Sequence, residues 1–110
     1  MATVTPDFDI IERVLRDTAN RYPTANKRTV FSFDRDNGQF VLLREGWDGY
    51  YRNHFAWVHI EWQNGKLWIH RDGTEHGIAH DLVDAGVPKE RIVLAFQHRT
   101  RRERGEFAIA

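Results

Sequence analysis

The middle of the chain alternates apolar and polar residues with a period of two, which is typical of half-buried β-strands. The alternation predicts four strands, over residues 29–34, 40–45, 54–62 and 67–70. Asn37-Gly38 and Asn64-Gly65 predict hairpin turns, because asparagine and glycine both accept a positive φ. Residues 46–49 (GWDG) predict a further break, between the second and third strands. Together these signals predict a small antiparallel sheet.

At the start of the chain the apolar residues recur every three or four positions, as on one face of an amphipathic helix. This spacing predicts a helix that begins at Pro6 or Asp7 and ends at Arg21. Proline suits the first turn of a helix, and an acidic side chain there complements the helix dipole. Pro23 follows the helix, and a proline disfavours helical geometry in the residue before it.

The last third of the chain predicts a second helix followed by a fifth strand. The helix lies near residues 76–85, with Asp72 or Thr74 as its N-cap and Gly86 just after its last turn. Residues 88–90 predict one short helical turn. Residues 91–97 are almost continuously apolar, which predicts a strand that is buried on both faces or pairs near the centre of the sheet. Residues 106–110 are a candidate short edge strand.

These elements define an α+β fold, in which the two helices cover one face of a single small, mostly antiparallel β-sheet. A chain of 110 residues predicts one domain, residues 1–110. The other sheet face is left uncovered, and a homo-oligomer is one way to protect it. Alternation places Phe55, Trp57, His59 and Glu61 on one face of the third strand. If that face is open, the two aromatic side chains are candidates for binding a partner.

Composition narrows the class of protein further. The chain carries 16 basic and 16 acidic residues, so its net charge gives no general argument for nucleic-acid binding. It has no cysteine, which excludes disulfides, thiolate metal sites and cysteine catalysis. No apolar run is long enough to span a bilayer, and the first residues lack the pattern of a signal peptide. A cytoplasmic protein that does not enter a membrane is therefore expected.

The residues with catalytic potential do not form a recognised motif. His76 and His80 are four positions apart, but the glutamate of the HExxH zinc motif is missing between them. His59 and His70 lie on strands predicted to pair, so the two side chains can approach each other. The carboxylates lack the spacing of a nuclease core, and Ser32 is the only serine. We therefore expect no enzyme and assign no catalytic, cofactor-binding or metal-binding residue.

Two further segments are candidate binding sites, each with a simpler structural interpretation. Trp47 and Asp48 lie between two glycines, either in a tight turn held by Asp48 or in a recognition loop that binds a partner. The second segment is basic and is either a solvated terminal surface or a DNA-binding patch that contacts phosphates. Its candidate DNA-binding residues are Arg99, Arg101, Arg102 and Arg104.

Several segments of the chain, in this order and spacing, resemble the XisI family, the excision controlling factors of the fdxN element in cyanobacteria and their relatives. They are residues 42–49 (LLREGWDG), 58–60 (VHI), 65–69 (GKLWI), 73–75 (GTE), 78–79 (IA) and 82–96 (LVDAGVPKERIVLAF). The resemblance covers most of the chain and implies a small α+β domain.

The resemblance also implies a function. It points to an accessory factor that controls site-specific excision of a DNA element without cutting DNA itself. The implied partner is an XisH-like protein, and contact with DNA is expected only through the complex of the two proteins. The alternative is a DNA-binding module that uses the C-terminal arginine cluster directly. The family supplies no catalytic residue that could be assigned to a position in this chain.

Overall fold

The computed structural model describes residues 8–110. Within this range the chain forms three α-helices, one 3-10 turn and five strands. They are α1 (Phe8–Arg21), β1 (Lys27–Asp34), β2 (Gln39–Asp48), β3 (Tyr51–Gln63), β4 (Lys66–Asp72), α2 (Ile78–Asp84), the 3-10 turn (Lys89–Arg91), β5 (Ile92–Leu94) and α3 (Arg99–Arg102). The predicted α+β class is confirmed. The predicted helix start at Pro6 or Asp7 lies outside the described residues.

The five strands form one sheet in the order β1-β2-β3-β4-β5. The first four are antiparallel, and β5 pairs with β4 in parallel. The fifth strand is shorter than the predicted residues 91–97, because β5 has three residues, and it follows β4 at the end of the order, so the alternative of pairing near the sheet centre is wrong. Its predicted burial is confirmed, since Ile92 and Val93 are both 0% exposed. A bridge between Val93 and Ala108 places the chain's last segment beside β5.

The hydrophobic core lies between one face of the sheet and the helices. Helices α1 and α2 and the three central strands contribute to it. Its main members are Ile11 and Leu15 of α1, Phe40 and Leu42 of β2, Ile60 of β3, Ile69 of β4, and Ile78 and Leu82 of α2. Each of these side chains is at most 1% exposed. Two helices on one face of the sheet are thus what the apolar periodicities predicted.

Helix α2 begins two residues later than predicted and is not capped in the usual way. Its N-cap is Gly77, which has a φ of 93° and no capping side chain. Asp72 acts from six residues away, because its carboxylate accepts hydrogen bonds from the backbone N–H groups of Thr74 and Ile78, both at 2.9 Å. The predicted stop at Gly86 is confirmed by its φ of 110° and by the hydrogen bond from Val87 N to Leu82 O at 3.0 Å.

A β-bulge in β3 changes the face on which Trp57 lies. Leu42 pairs with Val58 and Leu43 with Ala56, so Trp57 is an extra residue in the ladder. Such a bulge interrupts the alternation of side chains, and both Trp57 and Val58 are buried. The prediction that Phe55, Trp57, His59 and Glu61 share one face is therefore wrong. Trp57 packs on the helix side, whereas His59 faces the open side.

The β2–β3 hairpin projects beyond the rest of the sheet. β1 pairs with β2 only as far as Gly46, and β4 pairs with β3 only from Val58 onward. We call the projecting segment, residues 46–55, the arm. The molecule extends 54 Å along its longest axis and has a radius of gyration of 14.7 Å, against about 13 Å for a compact domain of this length. Among the described residues, no helix is long and apolar enough to cross a membrane.

Candidate interaction site

The arm begins where a break in the sheet was predicted. The predicted break between the second and third strands is present but lies later, because Gly46, Trp47 and Asp48 continue β2 and the two-residue turn is Gly49-Tyr50. Gly49 has a φ of 61°, which suits the first central position of a tight hairpin turn. Gly46 serves a different purpose. A Cβ there would lie 2.0 Å from the carbonyl oxygen of Asn26, so the loop that follows α1 needs a glycine in order to cross β2.

The arm carries most of the large apolar side chains that the described part of the chain leaves exposed. Trp47 is 56% exposed, Tyr51 is 70% exposed and Phe55 is 37% exposed. Tyr50 in the turn is fully exposed. Of the four candidate partner-binding residues, Trp47, Asp48 and Phe55 therefore lie together on this projection. Trp57 does not, since it is only 5% exposed at the base of the arm.

Ion pairs hold the arm on its open side. Glu45 accepts hydrogen bonds from Arg28 and from Arg52, the latter at 2.8 Å. These two bonds, with that of Arg28 the stronger, hold the pKa of the Glu45 carboxyl below its ordinary value. The Arg52 guanidinium also lies 5.5 Å from the Trp47 ring centroid. On the helix side of the arm, Asp48 accepts a hydrogen bond from Asn53 Nδ2 at 2.7 Å, which ties the two strands together near the turn.

The base of the arm is built around a buried arginine that sequence analysis did not single out. The Arg44 guanidinium carbon lies 3.5 Å from the Trp57 ring centroid, and its Nη2 donates to the backbone carbonyl of Tyr22. Tyr22 meets the same tryptophan edge-on at 5.9 Å. Burial lowers the pKa of the Arg44 guanidinium. The burial of Arg44 cannot be predicted from the sequence, because a charged residue in an alternating strand is expected to face solvent.

A polar network crosses the open face of the sheet. His59 Nε2 donates to Gln39 Oε1 at 2.7 Å, Gln39 Nε2 donates to Glu61 Oε2 at 2.8 Å, and His70 Nε2 donates to Glu61 Oε1 at 2.8 Å. The two imidazole rings lie 4.9 Å apart, as the predicted pairing of their strands suggested they could. Over residues 8–110, no group of three or more potential metal ligands comes together.

This network makes the stability of the protein sensitive to pH. Burial lowers the pKa of the His59 imidazole, and the charge of His70 lowers it further. The unfolded chain therefore takes up a proton near the ordinary value of 6.5, whereas the folded protein resists it. Unfolding is favoured wherever the unfolded chain binds more protons. The stabilising effect of a neutral His59 is complete above this pH and declines below it.

Glu61 acts in the same direction at lower pH. Hydrogen bonds from His70 and then from Gln39 lower its pKa below the ordinary 4.5, so its contribution is present above that pH and is lost as the pH falls. We expect urea unfolding to show stability falling first below about pH 6.5 and again below about pH 4.5. The variant H59Q should lack the first decline. An unchanged free energy of unfolding between pH 7 and pH 5 would contradict this account.

The basic cluster forms the short helix α3, which was not predicted. His98 is its N-cap and accepts a hydrogen bond from Thr100 N at 3.2 Å. Arg102 is occupied within the protein, because its Nη1 donates to the carbonyl of Ile109 at 2.8 Å and its Nε is buried. Of the four candidate DNA-binding residues, Arg99, Arg101 and Arg104 stay exposed and Arg102 anchors the final segment.

The fold and this site define an α+β protein with an open five-stranded sheet and a projecting aromatic arm. A family model described as "XisI protein" matches residues 1–109, so the chain belongs to the XisI family. The resemblance inferred from the sequence segments is thereby confirmed. No protein of curated function matches the chain significantly.

Two solved structures from Anabaena variabilis ATCC 29413 have similar folds. One is described as a XisI-like protein; it has a TM-score of 0.84 and 24% identity, and the match covers 93% of this chain and 94% of that one. The other is described as the fdxN element excision controlling factor XisI. It has a TM-score of 0.70 and 29% identity, and the match covers 96% of this chain and 100% of that one.

Proposed function

We propose that this protein is an accessory factor that controls site-specific excision of a DNA element. In this proposal it acts by binding an XisH-like protein and does not itself catalyse a reaction. The observation that carries the proposal is the similarity, over 96% of the chain, to the structure described as the fdxN element excision controlling factor. Membership of the XisI family supports the same assignment.

The arm supports a function based on protein binding. Aromatic side chains are enriched in protein interfaces, where a few of them supply most of the binding energy. Trp47, Tyr51 and Phe55 are held on a paired hairpin, so they lose little conformational freedom when a partner covers them. A hairpin that projects beyond its core also offers both faces and one edge to a partner.

Co-expression with an XisH-like protein from the same organism tests the proposal. We expect the two proteins to elute together in size-exclusion chromatography, and F55A to weaken the complex by tenfold or more, on the order of a contact worth 1.4 kcal/mol. F31A is a matched control, since Phe31 is also 37% exposed but lies in β1 with Arg16 above its ring. Separate elution of the two wild-type proteins would contradict the proposal.

Direct DNA binding is a second candidate, favoured by the exposure of three arginines at α3. It predicts an affinity that falls steeply with salt, with a slope that decreases by about one for each phosphate contact removed. The double variant R101A/R104A should lower that slope, whereas R13A, which removes an exposed arginine from α1, should not. DNA binding that is unaffected by R101A/R104A would exclude this candidate.

A further inference from the structure

One edge of the arm is left without a neighbouring strand. β4 pairs with β3 only from Val58 onward, so residues 51–57 of β3 extend past its end. The two positions nearest β4 are still satisfied: Gly73 N donates to Trp57 O at 2.8 Å, and Arg71 Nε donates to Ala56 O at 3.3 Å. The remaining stretch, residues 51–55, is the free edge of β3.

The backbone of the free edge has unused hydrogen-bonding groups. In an antiparallel pair, successive residues point their N–H and C=O groups to opposite edges. The carbonyl oxygen of Ala56 points away from β2, toward Arg71. Because every second residue has the same orientation, the N–H and C=O groups of His54 and Arg52 also point away from β2. The β2–β3 ladder therefore does not use the N–H and C=O groups of Arg52 and His54, and no backbone hydrogen bond outside that ladder reaches these four groups among residues 8–110. Such a row of unpaired groups is a template for an added strand.

The side chains along the free edge specify what an added strand should carry. Tyr51 and Phe55 lie on the helix side and offer apolar contact. Arg52 and His54 lie on the open side, with Arg71 at the end of the edge. Glu45, the carboxylate that pairs with Arg52, is already shared with Arg28. The open side of this edge is therefore basic, and its charge complements acidic side chains.

Pairing with a second copy of the chain fits less well. Antiparallel pairing of two identical edges about Asn53 would set Arg52 of one copy opposite His54 of the other. Such a pairing gains no opposite-charge contact at this position, whereas opposite charges directly across a strand pair stabilise it by up to about 1 kcal/mol. The charges thus favour a partner of opposite sign over self-association.

We propose that the free edge of β3 binds an extended segment of a partner protein by strand addition, and that this segment alternates acidic and apolar side chains. The acidic side chains lie beside Arg52, His54 and Arg71, and the apolar ones lie against Tyr51 and Phe55. A five-residue contact of this kind spans about 17 Å. The inference rests on the proposed function, because it specifies how the partner is held.

Two fluorescein-labelled heptapeptides test the proposal, one alternating Glu and Val and the other alternating Lys and Val. We expect the protein to bind the Glu–Val peptide at least tenfold more tightly, as opposite charges at two or more positions require. H54P removes an N–H that faces the free edge but leaves the bonds between β2 and β3 intact, so it should abolish binding. H54Q, which keeps that N–H, should retain most of it.

A second variant keeps the test decisive if H54P does not fold, as judged by circular dichroism. The double variant R52E/H54E should reverse the preference in favour of the Lys–Val peptide. Failure of the wild type to bind either peptide, or equal binding by a folded H54P, would overturn the proposal. A wild-type dimer that H54P dissociates would assign the free edge to a second copy and overturn it as well.

The same variant separates this inference from the proposed function. If H54P captures the XisH-like protein as well as the wild type does, strand addition is excluded and the accessory function stands. If the wild type binds the Glu–Val peptide but not the XisH-like protein, strand addition at the free edge is supported and the XisH-like protein is excluded as the partner.

Discussion

Replacing Trp57 by alanine should lower the free energy of unfolding by about 3–5 kcal/mol, the range found for buried tryptophan and phenylalanine. Trp57 is 5% exposed and packs against Arg44 at 3.5 Å, Tyr22 at 5.9 Å and the backbone at Gly73. Its removal leaves a cavity and also takes away the ring that covers a buried guanidinium. Both effects destabilise the folded protein.

Urea unfolding monitored by circular dichroism measures this loss, and W47A is the matched control. Trp47 is 56% exposed on the arm, so its truncation should cost about 1 kcal/mol or less. The pair compares the same chemical change at a buried and at an exposed position. Equal decreases in the free energy of unfolding for W57A and W47A would show that the bulge does not place Trp57 in the core.

Replacing Gly46 by alanine should be the second most damaging change, at roughly 3 kcal/mol. An added Cβ would lie 2.0 Å from Asn26 O and 2.8 Å from Lys27 Cα. Both neighbours are backbone atoms, so no side-chain rotation can relieve the contact. The loop after α1 would have to move away from β2, and the first pairs of β1 and β2 would be lost.

G49A provides the comparison for this position. Gly49 has a φ of 61°, but a Cβ there would have no atom within 4 Å. Its replacement should cost only about 1 kcal/mol, the penalty for a left-handed residue. Thermal denaturation of the two variants separates the two reasons for a glycine: close packing at Gly46 and a positive φ in the turn at Gly49. A G46A variant as stable as G49A would exclude the close crossing.

Local chemistry explains why much of the fold could be predicted from the sequence. The Asn64-Gly65 turn joins β3 and β4, and Asn64 has the positive φ that this dipeptide favours. Gly86 ends α2, and the apolar period of α1 places Ile11 and Leu15 in the core. Each of these features depends on residues within a few positions of one another.

The features that were missed depend on contacts between distant residues. The bulge at Trp57 cannot be seen in a strand that alternates without a break, so Trp57 was assigned to the wrong face. Gly46 was interpreted as a turn residue, although its purpose is to let the loop after α1 pass. The length of the arm follows from where β1 and β4 stop pairing, which no local pattern encodes.

The candidate site was consequently predicted only in part. Trp47 and Asp48 are candidates from the sequence because they lie in the predicted break, and Phe55 is a candidate on the condition that its strand face is open. The structure places all three on one projection and moves Trp57 into the core. It also divides the arginine cluster, since Arg102 is bonded to the carbonyl of Ile109. Neither the free edge of β3 nor buried Arg44 leaves a signal in the sequence.

The most direct test of the proposed function is hydrogen–deuterium exchange of the protein alone and in complex with the XisH-like protein. Unpaired amides at a strand edge exchange readily, and a partner that binds there slows them. The proposal predicts slower exchange across the arm, residues 46–55, when the partner is bound. Slower exchange confined to residues 99–104 or to the open face of the sheet, with the arm unchanged, would contradict it.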